Sequence, residues 1–348
     1  MKMADEKTKP VKAEKKEEDE PYILSTSPHV RNPETVRSIM WDVVLALIPA
    51  AAAGVYFFGA DALLVILTCI VACVATEAAL QTWFGKPVTV NDGSAVLTGL
   101  LLALTLSAGV PLWMAAIGGA FAIVVAKYAF GGLGYNIFNP ALTGRAFLMA
   151  SWPVLMAARM PLGAADAVTR ATPLALLKVY TKIPAVDATT GATPLTGTAF
   201  PSLLDMFWGN IGGMLGETSA AALLLGAAYL FYKGIIDWRI PFTYVGSVFV
   251  LMLVLTQDLM FTEFHVLTGG LILGAFFMAT DYVSSPITKR GRIVFGVGCG
   301  LLTAVIRQFG GLPEGVMYSI LIMNGFTPLI DRLTAPEPFG AVPKEAGD

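Results

Sequence analysis

Long apolar stretches separated by short polar turns dominate the chain, and Lys, Glu, Asp and Pro replace them at both ends. A straight transmembrane helix needs about 20 apolar residues, and a broken one needs fewer. The pattern therefore predicts an all-α polytopic membrane protein with about ten spans, several of them short. Their expected bounds are 41–58, 63–80, 95–106, 111–130, 137–156, 219–232, 242–259, 266–282, 293–306 and 315–330.

The same pattern divides the chain into five segments. Residues 37–156 and 219–332 are predicted to form two transmembrane repeats, and residues 157–218 a long polar loop between them. Residues 1–36 and 333–348 are predicted to be polar tails, because they contain too few apolar side chains to offset the entropy of ordering.

An internal repeat links the two apolar segments. Val-Leu-Thr-Gly occurs at 96–99 and again at 266–269, and Phe-Gly-Gly-Leu occurs at 130–133 and again at 309–312. With about five spans in each half, the halves must be inverted relative to one another, as in many transporters. Each Val-Leu-Thr-Gly motif opens a short apolar span, which is typical of discontinuous helices with a site at the membrane midplane. Simple glycine-mediated helix packing is the alternative interpretation.

Composition agrees with a membrane protein. The chain is 55% hydrophobic and only 14% charged, whereas soluble domains are about 25% charged. A formal net charge of −2 gives no basic surface for nucleic acid. Cys69 and Cys73 lie four residues apart, but an iron–sulfur cluster needs four ligands, so we expect them to pack as small apolar residues.

Positive charges predict the orientation in the membrane. Cytoplasmic turns of membrane proteins carry an excess of Lys and Arg. With the N-terminus inside, the cytoplasmic turns contain Arg31, Arg37, Lys86, Lys233, Arg239, Lys289, Arg290, Arg292 and Arg332. Both termini are therefore expected in the cytoplasm, and the loop 157–218 on the outer face.

Several charged residues fall inside predicted spans. Charges in a membrane are costly and are commonly functional. Asp281, Glu77 and Asp42 are candidates for an ion path, and Arg145 and Arg307 are further intramembrane charges. Because most of them lie near span ends, snorkelling or a structural ion pair is the alternative for each.

Two near-copies of one pattern, Asp-x-x-Thr-x-Ala-Thr-Pro-Leu, lie in the long loop at 166–174 and 187–195. In the first copy Asp166, Thr169 and Ala171 precede the second threonine. This pattern resembles the acceptor sequence of flavin transferase, which moves the FMN half of FAD onto a threonine hydroxyl. A threonine hydroxyl is an adequate nucleophile once a base activates it, and the following Pro keeps the threonine extended. An ordinary loop rich in Thr, Ala and Pro is the alternative.

The chain as a whole resembles the D subunit of the Rnf electron-transport complex and, more distantly, the B subunit of the sodium-pumping NADH:quinone reductase. The resemblance covers about residues 25–333. The motifs that carry it, in order, are SPHVR (27–31), ND (91–92), AVLTG (95–99), FGGLG (130–134), NIFNPALTGR (136–145), GNIGG (209–213), GETS (216–219), IDWRIP (236–241), TD (280–281), RGR (290–292) and FGGLPEG (309–315).

That family implies a covalent FMN on a threonine of the outer loop. Thr172 is the first choice, because the family's site continues to a lysine, here Lys178. Thr193 is the second choice, because Gly191 suits the transferase pattern better than Arg170 does.

The resemblance further implies an electron-relay subunit of an ion-translocating ferredoxin:NAD oxidoreductase in a bacterial inner membrane. It allows a second, non-covalent flavin (riboflavin), for which Asn139 and Arg145 offer polar contacts. Polar satisfaction of a broken helix explains these two residues equally well. The expected partners are Rnf subunits A, B, C, E and G, together with flavin transferase and the lipid bilayer.

Two other functions stay open at this point. The first is a quinone-reducing subunit of the sodium-pumping type. The second is a non-redox transporter or channel, which the inverted repeat and short helices alone would favour. The coupling ion, Na⁺ or H⁺, does not follow from the residues.

Overall fold

The computed structural model describes residues 34–157, 202–209, 211–311 and 314–336. These residues form helices and contain no strand. The helices are α1 (Val36–Phe58), α2 (Ala60–Trp83), α3 (Ser94–Leu104), α4 (Leu112–Phe121), α5 (Pro140–Ser151), α6 (Pro153–Ala157), α7 (Leu203–Trp208), α8 (Ala220–Tyr232), α9 (Arg239–Thr256), α10 (Leu259–Leu267), α11 (Leu271–Leu273), α12 (Lys289–Phe309) and α13 (Val316–Thr334). A π-helical turn, Ala122–Tyr128, extends α4, and another, Gly274–Met278, extends α11.

The lengths of these helices suit a membrane. In the described residues α1, α2, α9 and α12 are each long and apolar enough to cross one. The pair formed by α10 and α11 with its π-helical turn is bent by 58° and has the length and composition of either a broken span or a re-entrant loop. Three shorter apolar helices, α3, α4 with its π-helical turn, and α8, lie among them. The prediction of an all-α polytopic membrane protein is confirmed.

The span predicted at 266–282 differs most from the structure. The helix already begins at Leu259 and breaks after Leu267. At the break Thr268 is extended, and Gly269 and Gly270 have φ values of 71° and 66°, a left-handed region that glycine adopts without strain. The hydrophobic pattern did not predict the first of these two helices, α10, because Glu263 and His265 interrupt its apolar run.

The span predicted at 137–156 is also broken. Asn139 caps α5, because its side-chain oxygen accepts hydrogen bonds from the amides of Ala141 and Leu142. Pro140 then occupies the first helical position, where a missing N–H costs nothing. Trp152 leaves the helical conformation and separates α5 from α6.

Equivalent helices of the two halves pack in the same way. Gly119 on α4 lies against α2, where an added Cβ would be 3.1 Å from Cys73 Sγ. Gly300 on α12 lies against α9, where an added Cβ would be only 1.7 Å from Ser247 Oγ. In both halves a glycine therefore lets the fourth helix approach the second closely.

The equivalent helices run in opposite directions. The N-terminus of α12 and the C-terminal extension of α4 both lie at the end of the bundle where α1 begins, as four contacts indicate. Arg292 of α12 contacts Asp237, which lies just beyond the end of α8. Tyr229, in the last turn of α8, contacts Asp42 of α1. Lys127, in the extension of α4, donates to Ser94 at the start of α3, and Asn91, just before α3, accepts from Trp41 of α1. The two halves are inverted repeats.

We call this end of the bundle the positive end. Every Lys and Arg that is at least partly exposed in the described residues lies in or beside its turns: Arg37, Lys86, Lys233, Arg239, Lys289, Arg290, Arg292 and Arg332. The other described basic residues, Lys127, Arg145 and Arg307, are buried.

A tight seam joins the first helices of the two halves. A Cβ added at Gly226 of α8 would lie 1.9 Å from the carbonyl oxygen of Ala46 on α1. On the same seam the Tyr229 hydroxyl donates to Asp42 at 2.6 Å. The apolar core then continues on both sides of the seam through fully buried side chains such as Leu47 and Leu102.

Candidate functional site

A cavity lies between the two halves, close to the positive end. Its walls come from α1, α3, α8 and the π-helical turn after α11, with apolar residues such as Ile39, Leu97, Leu230 and Phe276. The space that water-sized spheres can occupy in it is about 80 Å³, and about 800 Å³ is enclosed when space open to the surroundings is included. The polar side chains that line it are Ser94, Thr98, Lys127, Asn136, Asn139, Thr280, Asp281 and Tyr282. We call it the central cavity.

The start of α3 forms one polar corner of the central cavity. Gly93, at φ 81°, turns the chain into the helix, and Asp92 accepts from the amide and hydroxyl of Ser94 at 2.8 and 2.7 Å. A Cβ added at Gly99 would lie 2.7 Å from the Cα of Ile70, so α3 lies directly against α2. The glycine of the first Val-Leu-Thr-Gly motif thus packs α3 against α2, while Leu97 and Thr98 of the same motif line the cavity.

A buried ion pair lies behind this corner. Lys127 Nζ donates to both oxygens of Glu77, at 2.7 and 2.8 Å, and to the Ser94 hydroxyl at 2.7 Å. Both charged side chains are only 2% exposed. Glu77, predicted as an ion-path carboxylate, therefore has a fixed internal cation as its partner. Lys127 was missed in the sequence, although a lone lysine within an apolar span is itself a signal.

Asp281 and Asn139 meet at the same cavity. Asp281 accepts from the Ser284 hydroxyl at 2.9 Å and has the Asn136 side chain as a further hydrogen-bond partner. Asn139 caps α5 and also donates to the carbonyl of Met278 at 3.3 Å, which ties the two halves together. Asn139 thus satisfies the backbone of the broken helix and lines the cavity as well.

Arg145 does not line the central cavity. It lies in the middle of α5, is 5% exposed, and forms an ion pair with Glu314 and a contact of 2.8 Å from Nη2 to Met214 Sδ. Asn139 and Arg145 were both considered as polar contacts for a flavin, but only Asn139 lines this cavity, since the two residues are six positions apart on one helix. The arginine therefore points to the other end of the bundle.

The buried charges around Arg145 form a cluster at the helix break between α10 and α11. Arg307 of α12 donates to the carbonyl oxygens of Thr268 and Gly269, both at 3.2 Å, and to that of His265. Its Nε donates to the carbonyl of Glu314 at 2.9 Å. In each half a cation from the fourth helix thus reaches the discontinuity of the third: Arg307 here, and Lys127 at the start of α3.

Asp42 lies at the positive end, outside the central cavity. Besides Tyr229, it has Lys233 Nζ at 3.7 Å, and Lys233 is 43% exposed. This arrangement matches the structural alternative for Asp42, a surface ion pair at a span end.

The flavin-acceptor residues lie outside the described residues. These are Asp166, Thr169, Ala171, Thr172, Lys178 and Thr193. Among the described residues there is no cluster of three or more His, Cys, Asp or Glu side chains that could hold a metal. Cys69 and Cys73 are buried, and their sulfurs face the carbonyl oxygens of Ala115 and Gly119, in keeping with the predicted packing role.

Comparison with known proteins identifies the family. The family described as NQR2, RnfD, RnfE matches residues 23–340. The chain belongs to this family. The resemblance found in the sequence, to the D subunit of Rnf and the B subunit of the sodium-pumping reductase, is thereby confirmed.

Individual relatives in this family match almost end to end. The D subunit of the Na(+)-translocating ferredoxin:NAD(+) oxidoreductase complex of Acetobacterium woodii is 48% identical over 327 residues, 93% of this chain and 97% of that protein. The D subunit of the proton-translocating complex of Clostridium ljungdahlii is also 48% identical, over 92% of this chain and 96% of that protein. The D subunit of the ion-translocating oxidoreductase complex of Methanosarcina acetivorans is 35% identical, over 93% of this chain and 99% of that protein.

Proposed function

We propose that the chain is the D subunit of an ion-translocating ferredoxin:NAD oxidoreductase (Rnf) complex and relays electrons in the membrane. The observation that carries this proposal is the near-complete match to two relatives that are both named as D subunits of such complexes. Its partners are then the other Rnf subunits, A, B, C, E and G. Deleting the gene in its host should abolish ferredoxin-dependent NAD reduction by membranes, and full activity in the deletion strain would refute the proposal.

The family match does not assign the coupling ion. One relative at 48% identity is named Na(+)-translocating and another at the same identity is named proton-translocating. We propose Asp281 as the ion-path carboxylate of the central cavity, because Glu77 is neutralised by Lys127 and Asp42 lies at a surface. Asp281→Asn should uncouple ion uptake from electron transfer in vesicles, whereas Asp42→Asn should leave both unchanged.

We further propose a covalent FMN on the loop between the two halves, with Thr172 as the acceptor and Thr193 as the second choice. Asp166, Thr169 and Ala171 would present the threonine to flavin transferase, and Lys178 would follow it. When bound, a flavin accepts and releases one or two electrons. The threonine oxygen would bond to the FMN phosphorus of FAD, AMP would leave, and the hydroxyl proton would pass to a base of the transferase.

In-gel fluorescence and peptide mass spectrometry test this attachment. A chain co-expressed with flavin transferase should give a fluorescent band after denaturation, and Thr172→Val should give a dark one. Thr193→Val is the matched control, since it changes the same residue type in the second copy of the pattern. The reverse result would move the site to Thr193, and a fluorescent band from the double variant would refute both.

The central cavity is our proposed site for the second, non-covalent flavin. Its apolar walls and its convergent amides suit a flat, largely apolar ring with polar edges. Asn136 would hold the ring edge, while Asn139 would keep α5 and the wall in place. Arg145 has no part in this proposal, since it lies at the other end.

The flavin inventory of the purified chain tests the cavity separately from the loop. Asn136→Leu should lower the flavin released on denaturation and leave the covalent flavin unchanged. Asn91→Leu is a control outside the cavity and should release as much flavin as the wild type. Equal release from all three chains would refute the cavity proposal.

The positive end is proposed to face the cytoplasm, because positive charges are retained there. Both termini would then be cytoplasmic and the flavin loop would be on the outer face of a bacterial inner membrane. Lys86→Cys should resist an impermeant thiol reagent in whole cells, and Asp61→Cys should react with it. The three native cysteines are buried and give a low background.

The family match also keeps the quinone-reducing function as a second candidate, because the family name covers both kinds of complex. NADH-dependent quinone reduction by the purified complex would favour it over the ferredoxin-linked function. A non-redox transporter would carry no flavin at either proposed site.

A further inference from the structure

A second pocket, which we call the end pocket, opens at the positive end. It lies between the loop 233–238 and the first turn of α12 and encloses about 930 Å³, including space open to the surroundings. Its polar lining includes Asp237, Arg239, Ser285 and Arg292. Neither proposed flavin occupies this pocket.

The two arginines of the end pocket share a single carboxylate. Asp237 accepts from Arg239 Nη1, at 2.8 Å at the nearer oxygen, and from Arg292 Nη1 at 2.7 Å. Arg292 Nε donates to the carbonyl of Pro286 at 3.1 Å. A guanidinium has five N–H donors, and Nη2 of each arginine has no hydrogen-bond partner among the described residues. The pocket therefore keeps one unbalanced positive charge and unused donors.

Two helices begin at this pocket. Arg239 is the first residue of α9, and Lys289, Arg290 and Arg292 all lie in the first turn of α12. A helix N-terminus carries a partial positive charge, so basic residues there are unfavourable unless an anion lies nearby. A carboxylate already lies at each N-terminus: Asp237 accepts from the Arg239 amide at 3.0 Å, and Asp331 accepts from the Ile287 amide at 3.0 Å. The four basic side chains outnumber these two carboxylates.

The rim of the end pocket suits the membrane interface. Both α9 and α12 are long and apolar enough to span the membrane, so we expect their N-termini at its surface. Trp238 and Tyr282 line the pocket and are 55% and 50% exposed, and Ile287, nearby, is 79% exposed. The Arg239 guanidinium lies 5.1 Å from the centre of the Trp238 ring. Aromatic side chains with an apolar body and a polar edge are typical of this depth.

We propose that the end pocket binds the phosphate of an anionic phospholipid, with Arg239 and Arg292 as the ligands and Trp238 against the acyl-chain side of the headgroup. Basic pockets between membrane helices on the cytoplasmic side are the usual sites of such lipids. A lipid is favoured over a soluble anion because the apolar rim continues into the membrane-facing surface of α9, where Phe242 is 58% exposed.

Native mass spectrometry of the full chain in non-ionic detergent, titrated with phosphatidylglycerol, tests the site. Arg292→Gln should weaken the lipid's binding roughly 5-fold, and Arg239→Gln with Arg292→Gln roughly 30-fold. Arg290→Gln is the matched control, because it removes one charge from the same helical turn but lies outside the pocket. Phosphatidylcholine should bind equally to all these chains.

A variant that is expected to strengthen lipid binding, rather than weaken it, keeps the test decisive if an arginine variant fails to fold. Asp237→Asn removes the competing carboxylate and should strengthen phosphatidylglycerol binding. Weakened binding in Asp237→Asn, or an equal loss in Arg290→Gln and Arg292→Gln, would overturn the proposal.

The source of the anion is tested by competition. Inorganic phosphate should not displace the lipid, and displacement at equal concentration would make this a soluble-anion site. If Arg292→Gln instead released a cytoplasmic partner subunit while lipid binding stayed unchanged, the end pocket would be a protein interface and the lipid proposal would fall.

Discussion

Replacing either member of the buried pair Lys127–Glu77 should destabilise the fold far more than replacing both. Lys127→Met removes the ammonium that both Glu77 oxygens accept from, and it leaves the carboxylate buried without its cation. Glu77→Leu strands the lysine in the same way. Breaking a buried pair by removing one partner costs about 3–5 kcal/mol, whereas an apolar replacement of both partners is about neutral.

The magnitude follows from the burial of the pair. Two unit charges at about 4 Å attract by about 4 kcal/mol at an effective dielectric constant near 20. The side chains are 2% exposed, so water screens little of that attraction. The surface pair Lys233–Asp42 is a matched control: its atoms are 3.7 Å apart and Lys233 is 43% exposed. Lys233→Met should therefore cost less than about 1 kcal/mol.

The assay is equilibrium unfolding of the full chain in mixed micelles, followed by circular dichroism. The free energy of unfolding should fall by about 3–5 kcal/mol for Lys127→Met and for Glu77→Leu, and should recover in the double variant that combines these two substitutions. Additive losses in the double variant would refute the reasoning, because they would mean that the two charges do not stabilise each other.

Three further predictions concern other contacts. Gly226→Ala should separate α1 from α8 and lower the free energy of unfolding by about 1–3 kcal/mol, since the new Cβ would lie 1.9 Å from the Ala46 carbonyl oxygen. The control is Gly246→Ala, whose new Cβ would have no atom within 4 Å. This control should leave the free energy of unfolding unchanged or raise it slightly. Burial alone would raise the pKa of Asp237, but hydrogen bonds from one backbone amide and two arginine side chains hold this pKa below its usual range. The ion pairs of Asp237 therefore stabilise the fold above about pH 4, and this stabilisation is lost as the pH falls through the folded-state pKa. The difference in unfolding free energy between the wild type and Asp237→Asn should thus be constant from neutral pH to mildly acidic pH and should shrink below that; a difference that grew on acidification would contradict the sign. Tyr244→Phe removes a buried hydroxyl that is hydrogen-bonded to the hydroxyls of Thr303 and Ser319, at 2.8 and 2.9 Å, and should lower the free energy of unfolding by about 1–3 kcal/mol. An unchanged midpoint of chemical unfolding would mean that the two remaining hydroxyls satisfy each other.

Hydrophobic pattern alone located most of the helices, because a membrane helix must satisfy its backbone internally and bury its length in lipid. The predicted spans 41–58 and 63–80 lie inside α1 and α2, and only the ends differ. The inverted arrangement followed from short repeated motifs, since an odd number of spans in each half forces opposite directions.

The discontinuities were harder to predict. The break at Gly269 and Gly270 depends on backbone conformations that two adjacent glycines permit but do not require. The contacts of Arg307 with the carbonyls of that break join residues about 40 positions apart, and no local pattern encodes such a pairing.

The candidate site was predicted only in part. Asn139 and Asp281 do line one cavity, but Arg145, six residues after Asn139, lies elsewhere, since motif proximity does not fix which side of a helix faces a cavity. Lys127 was missed because the surrounding apolar residues dominate the pattern. The loop threonines remain predictions.

The position of the Arg307 guanidinium affects where small cations can pass through the protein. It occupies carbonyl oxygens of the kind that coordinate alkali-metal ions elsewhere, and it is covalently attached to α12. A tethered competitor is always present at high effective concentration and never diffuses away. We therefore expect the gap between α10 and α11 to exclude sodium ions, so that any conducting route bypasses this gap and runs through the central cavity, where Asp281 lies.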